Sequence, residues 1–320
     1  MRHDVGPPCE CADGSPYAYW TRDGDPTRVV LYFQGGGACF SAETCSFTDG
    51  TYDVNVTDED DPSGAGGIFD ATDPRNPVAG WSFVYVPYCT GDVFLGDAVH
   101  EYAPDLVVHH KGFVDANHGL THLLEHYPDA EKVFVTGSSA GAIPSPLFGA
   151  FVADALPDAD VAVLGDAAGA YPDNPVVNTA IGGLWNTFAN VPDWPENADL
   201  TPADWSIPGL YRQAGLHAPR VRFARYDNAY DEVQAGFVAL SGLADATVLD
   251  LVETTEAAIE EAGVPLSSYI APGTRHTILW RPEFYDLTVE GVPFVDWVTD
   301  LIDGERPTDV HCTDCGAPPA

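Results

Sequence analysis

The apolar run Lys132-Val-Phe-Val-Thr136 leads straight into Gly137-Ser138-Ser139-Ala140-Gly141, and that junction restricts the fold more than any other segment. A G-x-S-x-G directly after a strand is the pattern of a nucleophile elbow, a strand-to-helix turn that lifts one serine into the open. The outer glycines let strand and helix backbones approach where side chains would collide. Ser139 is then the exposed nucleophile and Ser138 its neighbour. Pro144 and Pro146 follow closely and lack amide donors, so the helix after the turn must start late or bend.

Strand-like apolar runs recur at 29–33, 83–86, 133–136, 161–164, 221–224 and 268–271. Segments with helical spacing lie between or beyond them at 120–126, 147–155, 233–243 and 257–262, and 294–302 reads as a closing helix. Strands alternating with helical patterns predict an α/β fold, a mostly parallel sheet with helices on both faces. Two regions break the rhythm. Residues 46–80 are rich in Asp, Gly, Pro and Thr and read as a long surface excursion. Residues 173–215 carry Trp185, Trp194 and Trp205 among prolines, as a cap over a pocket or an extra packed layer would. No repeat or low-complexity linker is present, so residues 1–320 are expected to form a single domain with insertions at about 46–80 and 173–215.

A serine hydroxyl needs a base, and the base needs an orienting carboxylate. His276 sits in Ala271-Pro-Gly-Thr-Arg-His276, directly after the last strand-like run, where such sheets gather catalytic groups. The acid should fall between serine and histidine in the chain. Asp227 and Asp231 after the fifth run and Asp166 after the fourth are candidates, and spacing alone does not choose. The glycine run Gln34-Gly-Gly-Gly-Ala-Cys39 follows a strand and can turn backbone amides outward as an oxyanion hole, with Gly36, Gly37 and Ala140 as donors. A phosphate-cradling loop is the rival reading of three glycines; the absence of G-x-x-x-x-G-K-[ST] and of any nearby lysine argues against it.

Five ordered motifs carry a resemblance. Gly35-Gly-Gly-Ala-Cys39, Tyr88-Cys-Thr-Gly-Asp92, Gly137-Ser-Ser-Ala-Gly141, Ala229-Tyr-Asp-Glu-Val-Gln234 and His276-Thr-Ile278 are similar to the pectin acetylesterase family, which includes the Notum carboxylesterases. The resemblance runs from about residue 17 to 315. It implies an α/β-hydrolase fold and a serine esterase that removes acyl groups, short ones such as O-acetyl included, from a carbohydrate or small alcohol. It also implies a Ser139, Asp231, His276 triad, since the family's aromatic-Asp-x-x-Gln pattern falls on Tyr230 to Gln234, and oxyanion donors at Gly36 and Gly37. No cofactor and no metal are implied. Two departures stand out: relatives carry Trp or Tyr where this chain has Ala38, and Glu where it has Gln34.

Two other readings are open. His118, His122 and His126 recur every fourth residue, with His109-His110 upstream, and two histidines so spaced can grip zinc on a helix face. The H-E-x-x-H arrangement with its glutamate base is missing, however. The chain could also be a scaffold that binds carbohydrate without catalysis.

Seven cysteines are present. Cys39 and Cys45 are spaced for a small disulfide loop, Cys9/Cys11 and Cys312/Cys315 could staple the chain ends or hold a metal, and the odd count leaves one thiol over. The cysteines and the resemblance together suggest an extracellular or cell-surface setting, although Met1 to Pro8 lacks the apolar stretch of a signal peptide. No apolar run reaches the roughly 18 residues of a membrane-spanning helix.

The charge balance bounds the partners. With 13 basic and 49 acidic residues the net charge is -36, a field that repels nucleic acid, anionic membranes and de-esterified pectin. Lys111 and Lys132 are the only lysines, and a carboxylate-covered surface of this kind suits a high-salt setting in which ions screen the self-repulsion. Thermal unfolding should therefore shift upward between dilute buffer and about molar salt; an unchanged or lower melting temperature would remove the salt argument.

Overall fold

The computed structural model describes residues 1–242 and 246–318. The chain opens with β1 (Arg2–Glu10), β2 (Pro16–Arg22), β3 (Asp25–Phe33) and β4 (Trp81–Val86). A separate hairpin, β5 (Ala98–Ala103) and β6 (Leu106–His110), precedes α1 (Gly112–His126). Strands and helices then alternate: β7 (Lys132–Ser138), α2 (Ser145–Ala155), β8 (Asp160–Asp166), α3 (Pro175–Trp185), α4 (Ile207–His217), β9 (Arg222–Asn228), α5 (Glu232–Leu240), α6 (Val248–Glu261) and β10 (Leu266–Ala271). The pair β11 (Thr288–Val289) and β12 (Val292–Pro293), then α7 (Phe294–Asp303) and β13 (Val310–His311), complete it. The helix expected over 233–243 is α5; Leu243 lies outside the described residues.

Nine strands share one sheet in the order β1-β2-β4-β3-β7-β8-β9-β10-β13. The pairs β1/β2 and β2/β4 are antiparallel, and every neighbour pair from β4 onward is parallel. The central strands are apolar without alternation because both faces are covered, as parallel sheets require. Val133 and Val135 of β7 face a core that contains Leu120 of α1, Leu147 of α2 and Leu210 of α4. Phe134 between them faces the opposite core, with Trp297 and Leu301 of α7. This is a mixed α/β architecture built on a large, mostly parallel sheet.

The six strand runs read from sequence coincide with β3, β4, β7, β8, β9 and β10, with only Val221 falling outside its strand, one residue before β9. The edge strands were not legible. β1 contains Gly6-Pro7-Pro8 and is largely solvent-facing, so it carries no apolar period and tolerates proline as edge strands do. Residues 46–80 are not purely superficial: short 3-10 turns bury Ile68 and Phe69, and the Ile68 amide donates to the Leu279 carbonyl at 2.8 Å. Residues 173–215 bury Trp185, Trp194 and Trp205, with Trp194 stacked on His217 at 4.2 Å between ring centroids.

The cysteine expectation holds at one pair and fails at another. Cys39 bonds Cys45, but Cys312 bonds Cys315 and Cys11 bonds Cys89, leaving Cys9 free and buried. A staple between the chain ends is impossible because β1 and β13 occupy opposite edges of the sheet. The same separation removes a metal site built from all four terminal cysteines.

Near β1 lies a buried carboxyl. Asp115 of α1 is 1% exposed, and neither oxygen has a hydrogen-bond partner of normal geometry, although the Cys9 thiol and Glu10 amide are near. Burial pushes Asp115 well above the usual carboxylate range and pushes the Cys9 thiol up to about 12. A carboxyl whose folded pKa is raised contributes stability at low pH that is lost as pH rises through the folded value. Asp115→Asn, which keeps the neutral form, should therefore lose less stability than the wild type as pH rises above about 4, the ordinary value of an unfolded carboxylate. Melting curves that fall in parallel would show that Asp115 does not carry this effect.

Candidate active site

The turn after β7 is the strained one that the pentapeptide implies. Ser139 has φ 55, left-handed for a residue with a side chain. A Cβ on Gly137 would strike the Gly141 carbonyl, and one on Gly141 would strike the Phe33 carbonyl, so both positions require glycine. Residues Ser139–Ala142 form a 3-10 turn before α2 begins at Ser145, with Pro144 as its cap and Pro146 in its first turn. The helix starts late, as the prolines demand.

The glycine run lies directly against this elbow. A Cβ on Gly35 would sit 2.6 Å from the Ser138 carbonyl oxygen and 2.8 Å from Ser139 Cβ. Among the described residues, the Gly36 and Gly37 amides donate to no backbone or side-chain acceptor, and both residues line a cavity together with Ser139. Ala140 occupies the second position of the 3-10 turn, where an amide has no partner within the helix. Gln34 is held on both sides: its Oε1 accepts from the Tyr88 amide at 3.0 Å and its Nε2 donates to Asp60 at 2.9 Å. A glutamate there would set a second carboxylate against Asp60, which accounts for the amide in this chain.

Of the three candidate acids, Asp231 meets the imidazole. His276 Nδ1 lies 2.6 Å from Asp231 Oδ2. Asp231 caps α5, its Oδ1 accepting from the amides of Val233 at 2.9 Å and Gln234 at 3.0 Å, while Gln234 Nε2 donates to Oδ2 at 3.1 Å. Asp227 is held elsewhere by the Gly169 amide and Gln234 Nε2, each at 2.9 Å. Gln234 thus braces both acids, and its own Oε1 is anchored by the Ala170 amide.

Asp166 does something the sequence did not reveal. Its buried carboxylate accepts from Ser138 Oγ at 2.5 Å, from the Ile278 amide at 3.0 Å and from the Leu279 amide at 3.0 Å. Tyr32 donates to Ser138 Oγ at 2.8 Å. One carboxylate therefore joins the strand end that presents Ser139 to the loop that presents His276. Burial pushes Asp166 up to about 6 against the pull of these donors. The only hint in the sequence is a tyrosine hydroxyl in the otherwise apolar run 29–33.

Ser139 and His276 face one cavity of about 830 Å³. His276 Nε2 is buried and has no hydrogen-bond partner, so Ser139 Oγ and the imidazole share the space without being bonded to each other. Catalytic hydrogen bonds are often long in ligand-free enzymes and tighten around substrate. A second cavity of about 140 Å³ opens on the other side of Ser139 and is lined by apolar groups including Phe40, Leu95, Ile143, Ile181, Trp185 and Trp205. The 173–215 segment supplies the last three, so Trp185 and Trp205 both pack and shape a pocket, while Trp194 only packs.

The histidine stripe on α1 does not converge on a point. His122 and His126 stack with centroids 3.9 Å apart, His122 Nδ1 pairs with the Tyr19 hydroxyl at 2.8 Å, and His126 Nδ1 pairs with the His122 carbonyl at 3.0 Å. His118 packs edge-on against Tyr19. Burial pushes His122 down to about 4. His109 pairs with Glu10, and His110 with Tyr102 and the Thr90 carbonyl. Among the described residues, the one group of three potential ligand atoms within 4.8 Å is Cys39, Cys45 and His110, whose sulfurs are already bonded to each other. The zinc reading has no geometry behind it.

The chain is 32% identical over 93 residues to the palmitoleoyl-protein carboxylesterase Notum of Mus musculus, a stretch covering 27% of this chain and 18% of that protein. It is 25% identical over 243 residues to pectin acetylesterase 4 of Arabidopsis thaliana, covering 71% of this chain and 58% of the plant protein. An inactive palmitoleoyl-protein carboxylesterase of the Notum type from Danio rerio is 34% identical over 95 residues, covering 27% of this chain and 65% of that protein. Asp231 and His276 lie beyond residues 3–198, the region that matches the family described as Pectinacetylesterase. Because that match takes in more than half of its length, the chain belongs to the pectinacetylesterase family.

Proposed function

We propose that this chain is a serine carboxylic ester hydrolase of α/β-hydrolase type, with Ser139 as nucleophile, His276 as general base and acid, and Asp231 as the orienting carboxylate. One observation carries the reading. The imidazole is committed through Nδ1 to Asp231 at 2.6 Å, and its other nitrogen is buried, unpartnered and on the cavity that Ser139 lines. A relative named as inactive means that family membership alone would not suffice. The uninterrupted parallel order from β4 to β13, with the elbow at the end of central β7, supports the α/β-hydrolase assignment.

In the first step Ser139 Oγ attacks the ester carbonyl while His276 Nε2 takes its proton, and Asp231 offsets the imidazolium charge. The tetrahedral oxyanion is met by the Gly36, Gly37 and Ala140 amides. His276 returns the proton to the departing alkoxide, leaving an acyl-Ser139 ester. Water then attacks with His276 again as base. The disulfides among six of seven cysteines fit an oxidising compartment.

The acyl group belongs in the apolar cavity. Its volume of about 140 Å³ exceeds what a methyl needs; an apolar cavity of roughly 150 Å³ admits a benzene. Ala38 lines it, so the small side chain leaves open volume that a larger one would fill.

Ser139→Ala should lower turnover by about 10⁴-fold or more, whereas Ser138→Ala should stay within about tenfold because it removes only one donor to Asp166. Equal losses in p-nitrophenyl ester assays would reverse the assignment of the nucleophile. Each methylene buried in the acyl cavity contributes about 0.8 kcal/mol, about fourfold in kcat/KM. Hexanoate esters should therefore exceed acetate esters by at least about tenfold, and a flat or declining acyl series would exclude the apolar cavity as the acyl site.

A further inference from the structure

The larger cavity holds an unassigned pair of residues on the side of Ser139 away from the acyl pocket. Arg281 lines this cavity, and among the described residues its side chain makes no hydrogen bond and no ion pair. That is unusual in this chain. Arg2, Arg28, Arg75, Arg212, Arg222 and Arg275 are each paired with a carboxylate. Arg22, Arg220, Arg225 and Arg306 each donate to backbone carbonyls. With 49 acidic residues available, a guanidinium left without a partner stands out.

Arg281 lies over Trp280, its guanidinium carbon 4.4 Å from the ring centroid. Trp280 is 43% exposed, and its Nε1 donates to Thr277 Oγ1 at 2.9 Å, which fixes the indole next to His276. The same cavity is also lined by Glu59, Asp60 and Asp61. Asp60 is partly engaged by Gln34 and by the Thr57 amide, and the Glu59 carboxylate has no donor among the described residues. The cavity thus offers an aromatic plate, a fork of N–H donors and carboxylate acceptors together.

We propose that Trp280 and Arg281 form the subsite for the alcohol half of the ester, and that the alcohol is a neutral polyhydroxylated ring rather than a uronate. This rests on the serine esterase reading above, because the subsite is defined by its position beside Ser139 and His276. A sugar ring has an apolar face that suits the indole, as amphipathic aromatics pack against surfaces that are part apolar and part polar. Its hydroxyls both donate and accept, so they satisfy the guanidinium and the carboxylates together. A uronate carboxylate would match Arg281 in a bidentate pair. It would also share the cavity with three acidic side chains in a chain of net charge -36. Repulsion from several carboxylates outweighs one pairing at low salt and weakens as salt screens it.

The experiment compares kcat/KM on acetylated xylan, acetylated polygalacturonate and p-nitrophenyl acetate for the full chain and for Arg281→Ala and Trp280→Ala. Each variant should lose about tenfold or more on acetylated xylan relative to its own loss on p-nitrophenyl acetate, mainly through KM. Wild type should favour acetylated xylan over acetylated polygalacturonate, with the gap narrowing between about 50 mM and about 1 M salt. Equal losses on both classes of substrate, or a low-salt preference for the polygalacturonate, would overturn the proposal. A measurement on the wild type alone guards against misfolded variants: xylotetraose should inhibit p-nitrophenyl acetate hydrolysis competitively at concentrations where tetragalacturonate does not. The reverse order of inhibition would equally overturn it. Absence of any ester cleavage by wild type is a different result, and it would remove the esterase reading itself.

Discussion

The carboxylate of Asp166 is the point on which the site's geometry turns. It is fully buried at the end of β8 and accepts from Ser138 Oγ, the residue beside the proposed nucleophile, and from two amides just after His276. A buried carboxylate costs free energy unless its lone pairs are filled. Here the donors that fill them come from the two segments whose separation decides whether serine and imidazole can cooperate. The need to satisfy Asp166 therefore fixes the distance between elements that are far apart in sequence. Asp231 is arranged on the same logic: an N-cap satisfied by two α5 amides has one oxygen left for the imidazole.

The electrostatics divide into a surface and an interior that obey different rules. The acidic exterior is solvated and screened, and its ion pairs are mostly exposed, so each contributes little. Inside, Asp92, Asp166 and Asp227 are each pushed up to about 6 by burial, despite hydrogen bonds that pull the other way. At the mouth of the larger cavity the two regimes meet. Glu59, Asp60 and Asp61 extend the surface field to within reach of a substrate, and Arg281 is the cation left to answer it.

The central sheet was legible because parallel strands covered on both faces must be apolar throughout, and runs such as Val133 to Thr136 have no other use. The elbow was legible because only glycine fits at positions 137 and 141. The edge was not. β1 hides behind prolines and solvent-facing side chains, and β13 is two residues long. The disulfide between Cys11 and Cys89 spans 78 residues and depends on which strands are neighbours, which no local pattern states. The histidine stripe shows the same limit. Spacing puts His118, His122 and His126 on one helix face, but the direction of each ring nitrogen is set by Tyr19 and by stacking.

Sequence by itself determined the chemistry on offer: a serine held in a left-handed turn, a glycine run with free amides, a histidine after a strand, and a choice of three acids. Those follow from local steric rules that act within a few residues. Spacing left three acids open and the family resemblance pointed to Asp231; the tertiary structure sets that acid against the histidine, while Asp227, four residues earlier, is held by other donors. The tertiary structure also decided that Asp166 bridges the two segments, that Trp185 and Trp205 line an apolar pocket, and that Arg281 has no hydrogen-bonded or ionic partner among the described residues. Each of these depends on groups brought together across the sheet from distant parts of the chain, and side-chain direction in three dimensions leaves no periodic trace in one.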